Sequence, residues 1–509
     1  MFSKWYQVLV LICTISLLQG CGGGSDDDPA QEDNESSAKY LIYAGDGEAF
    51  LNLFTDDGNG ITQRVWAKQF KNSSGSLIED FGEVHLAHGK AFIIARKNFE
   101  DETGEVVDGG IIIIDAKDHE GDEFHVELLP LKSEVTGKAT RPVHSYMEKG
   151  VDGKAKYLWI NNDGLSTRRG ATQEEADLND SVFRIDIDPM STKYKTYDEI
   201  EVGNGHKKSA FSYPTDSLTQ TKNFFVTHDL SGQTVSIIDN DVSSDDFLKL
   251  RKQIEINTVK DEEDNLIKQN TPHGMAFSPV SGHVYTGITS GKDIALHIVD
   301  ATSDDLTVSS IKAGMEEGQI PGAGYVKTSH DGRWVFTAGF VDGIGYLAVV
   351  DAKDGANTVT DVIDLGKVSS SSFNISEASH GEEEHFKVYI PSRSSSSVED
   401  ELQNVVVRVS IDPVTGKQTE GTTVDSLTLH GNGSSHRNGK TSPDENFVYY
   451  PNGCDDAGDD NCKTISIINT HTDEVIGVLQ TFGTAPGSIG VFANPNGTVE
   501  AEINDHSNH

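Results

Sequence analysis

Histidine is the residue type in this chain whose placement most strongly suggests metal chemistry. The chain has 18 His among its 509 residues. Imidazole nitrogens are good ligands for zinc and copper. Several of the histidines stand near the beginnings of short β-type segments, namely His85, His144, His206, His273, His380, His430 and His436. If those segments surround one axis, the imidazoles would converge on a metal ion. Alternatively, each histidine caps a turn or lines a wet channel by itself.

A second candidate is the acidic stretch 115–125, DAKDHEGDEFH. It places His119 and His125 beside three carboxylates within seven residues. A glycine-containing turn would let two imidazoles and a carboxylate bind one divalent ion. The alternative is a solvated acidic loop.

The stretch 380–385, HGEEEH, is a third candidate, in which His380 and Glu382 are the expected ligands. It is not the HExxH motif of zinc proteases, and it lies between two β-type runs rather than on a helix. We therefore do not interpret it as a protease site.

The charge of the chain excludes some classes of partner. It carries 81 Asp and Glu against 41 Lys and Arg, a formal charge of −40. Nucleic-acid binding requires a basic surface, so we expect no nucleic-acid partner. A basic patch for anionic lipid is equally unexpected, whereas a negative field attracts cations.

The N-terminus predicts export. A short apolar run follows Lys4 and ends in Leu-Gln-Gly before Cys21, which resembles the bacterial lipobox. We expect a signal peptide over residues 1–20, a lipidated Cys21, and an acidic disordered tether over residues 21–38. With Gly22 after the cysteine, the lipobox pattern implies an outer-membrane or periplasm-facing lipoprotein, held to the membrane by lipid alone.

Cys454 and Cys462 are the cysteines left beyond Cys21 after cleavage, and export predicts a disulfide between them. The loop that they close contains four Asp residues, from Asp455 to Asp460. It is either a surface loop closed by the disulfide or a calcium site. The spacing of its Asp residues is not that of an EF-hand.

The elements that position these residues form an internal repeat. A β-type run ending in Ile or Val followed by Asp, or a close variant, recurs along the chain. It is marked by Asp56, Asp115, Asp188, Asp239, Asp300, Asp351, Asp412 and Asn469. About four strands accompany each mark, and such a unit cannot bury both faces of its sheet alone.

Four-stranded units arranged radially predict an all-β, single β-propeller of seven or eight blades, with eight favoured, over residues 39–500. The last run, APGSIGVFANPNG, looks like an innermost strand without its blade, and the first unit lacks that strand. We therefore expect the two chain ends to close the ring. Residues 501–509 are expected to be a disordered tail.

Two resemblances extend this interpretation. TPHGMAFSPVSGHVYTG with ALHIVD resembles the YVTN-type propeller repeat. The acidic histidine loop followed by the RPVH segment resembles the periplasmic zinc chaperones of zinc ABC importers, the AztD type. That resemblance implies zinc binding by His144, His273, His380 and Glu382. It also implies His119 and His125 as a first landing site, and transfer to the binding protein of an importer. His430 competes with His380 for the last of these roles.

Around this expected site, His206 and His436 are further candidate ligands. Copper is expected less than zinc, because the chain has only five Met and no Met–His cluster. Metal uptake needs neutral imidazole, so affinity should fall below pH ~6.5.

The sequence contains no GxSxG, phosphate loop or CxxCH motif, and on that basis we expect no enzyme. The alternative function is a non-enzymatic platform for protein, peptide or glycan. A metal-assisted hydrolase would need an open coordination position and a base such as Glu382 or Glu383.

Overall fold

A computed structural model describes residues 38–101, 103–116, 125–135, 140–150, 153–163, 180–205, 207–212, 223–229, 234–256, 272–288, 296–301, 305–311, 325–341, 344–355, 357–368, 372–378, 385–392, 405–420, 422–430, 439–452 and 460–494. Within them, 32 strands form eight four-stranded antiparallel sheets. This is the eight-bladed β-propeller that the repeat predicts.

The strands fall into four radial positions, with the blades numbered from the N-terminus. The innermost strands of blades 2 to 8, followed by that of blade 1, are β4 (Glu79–Ala87), β8 (Pro142–Lys149), β12 (Lys207–Ser212), β16 (Pro272–Ser278), β20 (Tyr325–Thr328), β24 (Asn374–Ser376), β28 (Lys440–Thr441) and β32 (Ile489–Ala493). The second strands of blades 1 to 8 are β1 (Tyr40–Gly45), β5 (Lys90–Glu100), β9 (Ala155–Asn162), β13 (Phe224–Asp229), β17 (His283–Ile288), β21 (Trp334–Val341), β25 (Phe386–Pro391) and β29 (Phe447–Pro451).

The third and fourth strands complete each blade. The third strands are β2 (Leu51–Asp56), β6 (Val106–Asp115), β10 (Asp180–Asp186), β14 (Thr234–Asp239), β18 (Leu296–Asp300), β22 (Ile344–Asp351), β26 (Val405–Ile411) and β30 (Thr464–Asn469). The outermost strands are β3 (Thr62–Lys68), β7 (Val126–Pro130), β11 (Tyr197–Val202), β15 (Leu250–Glu255), β19 (Val308–Ile311), β23 (Thr358–Asp364), β27 (Asp425–Thr428) and β31 (Glu474–Gln480).

Burial explains the composition of each radial position. Middle strands are covered on both faces by neighbouring blades, so they are continuous apolar runs such as the GIIIID of β6, which is almost wholly buried. Outermost strands meet solvent, and β31 alternates exposed and half-buried residues. The charged edge strand β15, LRKQIE, is mostly exposed, and such charges discourage pairing with another chain.

The recurring Asp terminates the third strand for a physical reason. Its carboxylate accepts a hydrogen bond from the backbone N–H two residues later and so fixes the turn. For example, Asp351 accepts from the N–H of Lys353 at 2.9 Å, and Asp412 accepts from that of Val414 at 2.7 Å. In blade 3 the residue that ends the strand is Asp186, which accepts from the N–H of Asp188.

The blades are held together by apolar clusters shared between neighbours. In the described part of the chain there are eight such clusters, one for each pair of adjacent blades. For instance, Trp159 of blade 3 stacks on Phe225 of blade 4 with ring centroids 4.2 Å apart. Each buried side chain of this size contributes about 1.5–3 kcal/mol.

The chain ends close the ring, as the sequence predicts. The C-terminal strand β32 pairs antiparallel with β1 and supplies the innermost strand of blade 1. Lys39 Nζ and the Tyr40 hydroxyl both lie 2.5 Å from the Asp444 carboxylate of blade 8. Among the described residues, no helix has the length and apolarity needed to cross a membrane.

Candidate functional site

Most neighbouring innermost strands contact each other around the axis, so polar side chains from several of them lie close together. We call the following side chains of those strands the channel ring: Glu83, His144, Lys208, Tyr325, Lys327, Asn374 and Lys440. They come from blades 2, 3, 4, 6, 7 and 8.

The Glu83–His144 pair is the first fixed point of the ring. His144 Nδ1 lies 2.7 Å from Glu83 Oε1, and the side chains of His144 and Glu83 are 12% and 15% exposed. The other carboxylate oxygen accepts hydrogen bonds from the backbone N–H of Ser145 at 2.6 Å and from its hydroxyl at 3.0 Å. Glu83 is therefore held rigidly by the strand of the next blade.

Burial by itself would raise the pKa of Glu83. Against it, the charged forms of His144, Lys208 and Lys440 hold that pKa well below its usual range. Glu83 is therefore an ionised carboxylate at neutral pH.

Lys208 stands on the other side of His144. Its Nζ lies 3.1 Å from His144 Nδ1 and 5.1 Å from the centre of the Tyr325 ring. Since Nδ1 either donates to Glu83 or accepts from Lys208, the proton positions of the three groups are coupled. Burial, reinforced by Lys440 and Arg96 and opposed by Glu83, lowers the pKa of Lys208 to about 8.

Lys327 is the second amine of the ring. It donates a hydrogen bond to Asn374 Oδ1 at 3.2 Å. Burial lowers its pKa to about 7, and Lys440 and Lys208 add to that effect, whereas Glu445 opposes it. Three ammonium groups thus lie near enough to destabilise one another.

The amide orientation of Asn374 is set by its neighbours. Its Nδ2 donates to the Tyr450 hydroxyl at 2.8 Å, and that hydroxyl donates to the carbonyl of Tyr389 at 2.9 Å. The Asn374 oxygen is therefore turned towards Lys327. A Cβ on Gly439 would come within 2.7 Å of Asn374 Nδ2, so this approach of β28 to β24 requires glycine.

Arg96 adds little uncompensated charge to this region. Its guanidinium donates to Asp80 at 3.0 Å and to the carbonyls of Pro142 and Val143 at 3.1 and 3.2 Å. Among the described side chains of the ring, the positive charge therefore comes mainly from the three lysines.

A second polar cluster joins the inner hairpin turns of blades 6, 7 and 8. The ring nitrogen Nε2 of His330 lies 2.7 Å from Glu445 Oε1. The backbone N–H of His330 donates a hydrogen bond to Glu377 Oε1 at 2.7 Å. The hydrogen bond to Glu445, against an opposing burial effect, raises the pKa of His330. Burial, partly offset by His330, raises the pKa of Glu377 to about 7.

The structure places the predicted histidines unevenly. His144 lies in the ring, near the start of β8, and His273 occupies the second position of the innermost strand β16. His125 lies at the outer edge of blade 2, just before β7, where its side chain is 67% exposed and 3.5 Å from Glu127. His430 is exposed and follows the outermost strand β27.

Several predicted site residues lie outside the described residues, namely Cys21, His119, His206, His380, Glu382, His436, Cys454 and residues 455–459 of the Asp455–Asp460 loop; the side chains of His273 and Asp460 do too. Cys462 is buried and disulfide-bonded. Its pairing with Cys454 remains a prediction. Among described residues, no three His, Cys, Asp or Glu side chains are grouped so that they could hold a metal ion.

Sequence reasoning missed Glu83 and the three lysines because it searched the inner-strand starts for histidine alone. Lys208, Lys327 and Lys440 occur in GHKKSAF, GYVKTS and NGKTS, each at or near the beginning of a unit. A lysine at or near the start of an inner-strand run was the available signal for the three amines.

No family model matches the chain, and no curated protein matches it. Solved structures do resemble it. Apo AztD from Citrobacter koseri is 12% identical, with a TM-score of 0.49, over 89% of this chain and 98% of that one. The dihydro-heme d1 dehydrogenase NirN is 11% identical, with a TM-score of 0.47, over 81% and 68%. The periplasmic gluconolactonase PpgL of Pseudomonas aeruginosa is 11% identical, with a TM-score of 0.44, over 90% and 99%.

At these identities the likeness is one of fold alone. Proteins named as enzymes are among these structures. They contradict the prediction that the chain is not an enzyme, and that prediction is withdrawn.

Proposed function

We propose that the channel ring is a ligand site that binds a small organic anion bearing a carboxylate or phosphate. The observation that carries the proposal is the convergence of Lys208, Lys327 and Lys440 in a chain whose formal charge is −40. Lys440 lowers the pKa of both Lys208 and Lys327, so the three amines lie close to one another.

The electrostatics favour an anion over a cation. An ammonium group that is buried or beside another ammonium group is destabilised in its charged form. Glu83 offsets part of the charge, and Glu445 is more weakly coupled to the ring and bound to His330. A carboxylate or phosphate among the lysines would relieve the remaining repulsion through charge-assisted hydrogen bonds.

Long-range repulsion does not prevent this binding. Screening limits the reach of surface charge to about 8 Å at physiological ionic strength. The acidic exterior therefore slows the approach of an anion more than it weakens its contacts inside the ring. We expect binding to become faster as salt is added, until salt also competes for the lysines.

The test is titration calorimetry of the protein with inorganic phosphate and with succinate. The Lys327→Met variant should lose about ten- to a hundredfold in affinity, because one charge-assisted contact contributes about 1.5–3 kcal/mol. Lys353→Met is the matched control, since Lys353 is an exposed lysine in a turn of the same blade.

Binding should also take up protons. Lys327 and Lys208 have pKa values of about 7 and 8, and an anion would raise both. Affinity should therefore fall as the pH rises above about 7, and the measured enthalpy should depend on the buffer near pH ~7.5. Equal affinity of the wild type and Lys327→Met for both anions would contradict the proposal.

Zinc handling is the second candidate function. It is favoured by the Glu83–His144 pair, which resembles the carboxylate–histidine pairs behind zinc ligands, and by the position of His273 on the innermost strand of blade 5. An importer's binding protein would be the partner. A divalent cation in the channel ring would lie near the three lysines, and their positive charge disfavours its binding. Tight binding of one zinc per chain, abolished in His144→Ala, would favour zinc over the anion.

For the cell location we propose a lipoprotein anchored through Cys21. Metabolic labelling with a fatty acid tests this directly. Label should be incorporated into the wild type and be lost in Cys21→Ser.

A further inference from the structure

Lys327 differs from the other amines of the channel ring in its surroundings. Lys208 faces the Glu83–His144 pair, which supports its charge. Lys327 instead faces an amide oxygen at 3.2 Å, and its stronger electrostatic neighbours are Lys440 and Lys208. An amide oxygen accepts a hydrogen bond from an amine as well as from an ammonium group. Lys327 is therefore placed where the neutral amine is well tolerated.

The amine is also held in a defined position. The Asn374 oxygen is aimed at it by the hydrogen bonds that run through Tyr450 to the Tyr389 carbonyl. Tyr450 and Tyr389 are fully buried. Lys327 as a whole residue is partly exposed.

We propose that Lys327 forms a reversible imine with a small anion that carries a ketone or aldehyde carbonyl, such as a 2-oxo acid. This rests on the proposed function, because Lys208 and Lys440 would hold the carboxylate while Nζ reaches the carbonyl carbon. A neutral lysine beside other cationic groups is a recognised form of activated amine nucleophile.

The chemistry balances without a redox partner. The Nζ lone pair forms the N–C bond, and the carbonyl π electrons move to oxygen, which takes up a proton to give a carbinolamine. The C–O bond then breaks, the oxygen leaves as water, and the nitrogen loses its remaining protons to give the imine. The net change is one amine and one carbonyl converted to one imine and one water.

The test is reductive trapping of the full chain at pH ~7.5 with pyruvate and cyanoborohydride, followed by peptide mass spectrometry. The reduced adduct should form at Lys327 about tenfold or more above the exposed Lys353, because its pKa of about 7 leaves far more free amine. This measurement needs no variant and so does not depend on a variant folding.

Lys327→Arg is the matched variant, because it keeps the positive charge but cannot form the imine. It should lose the adduct. Lys353→Arg, at an exposed lysine outside the ring, is the control that should keep both the adduct at Lys327 and the phosphate affinity of the wild type. Absence of an adduct at Lys327, or labelling no greater than at Lys353, overturns the inference. If phosphate still binds in that case, the proposed anion site stands; if phosphate does not bind either, the proposed function fails as well.

Discussion

Glu83→Gln tests whether the channel ring also contributes to the stability of the propeller. The substitution keeps the shape of the side chain but removes its charge. The wild-type carboxylate receives two hydrogen bonds from Ser145, pairs with His144 and partly neutralises Lys208. The amide introduced by the substitution would keep one acceptor oxygen and would leave the lysines less compensated.

The expected cost follows from these contacts. Breaking a buried ion pair by removing one partner costs about 3–5 kcal/mol, and partial retention of the hydrogen bonds points to the lower end, about 3 kcal/mol. For a cooperative domain of this size, the entropy of unfolding is on the order of 1 kcal/mol per kelvin, so this lowers Tm by roughly 3 °C. Urea denaturation measures the same loss as a lower midpoint with an unchanged slope.

The pH dependence gives a second readout. The pKa of Glu83 is lowered in the folded state, so its stabilisation is fully present above its unfolded pKa of about 4.3. It is lost as the pH falls through the lower folded value. The difference between the wild type and Glu83→Gln should therefore shrink as the pH falls below about 4.3.

Glu134→Gln is the control, because Glu134 is exposed and its side chain accepts no hydrogen bond that the structure describes. It should stay within about 0.5 kcal/mol of the wild type. If Glu83→Gln is no less stable than Glu134→Gln, the electrostatic account of the ring is wrong.

Three further predictions concern ring closure, the inner turns and the disulfide. Asp444→Asn weakens the contacts with Lys39 and Tyr40 and should cost about 1–2 kcal/mol in urea denaturation, whereas Asp364→Asn on an exposed edge should cost little. The raised pKa of His330 gives stability that is complete below about pH 6.5 and is lost at higher pH. In His330→Asn the free energy of unfolding should therefore depend less on pH above about 6.5. If its slope against pH is the same as in the wild type, the pairing of His330 with Glu445 is wrong. Reduction should lower the free energy of unfolding by about 2–3 kcal/mol if Cys462 closes the short predicted loop with Cys454, and Cys454→Ser should abolish that sensitivity.

Much of the fold follows from the chain's local pattern. The run before each repeated Asp is apolar throughout, because third strands are buried on both faces, and the Asp recurs because its carboxylate fixes the following turn. Closure of the ring was also predictable. Residues 489–493 form a strand outside the last complete unit, and the first unit lacks its innermost strand. The apolar third strands, the repeated Asp and the closure of the ring depend on nearby residues in the sequence and on burial. Both of these produce a periodic pattern in the sequence.

The composition of the site could be predicted only in part. His144 was identified because histidine is conspicuous and RPVH occurs at the start of a unit. Its partners were not, because Glu83, Lys208 and Lys440 belong to different units, and nothing in their local segments links them. Their interaction arises when blades 2, 4 and 8 bring their innermost strands to one axis.

The sequence by itself thus determined the repeating blade and the join between the chain ends, and it favoured eight blades over seven, because strand formation and burial depend on a few neighbouring residues. Only the tertiary structure decided that Lys208 and Glu83 lie beside His144 and that Lys440 lies near enough to interact with Lys208 and Lys327. Charges act through space over several ångströms, so their effect depends on ring geometry. For the same reason, three lysines lie near one another in the described part of the ring, although the formal charge of the chain is −40.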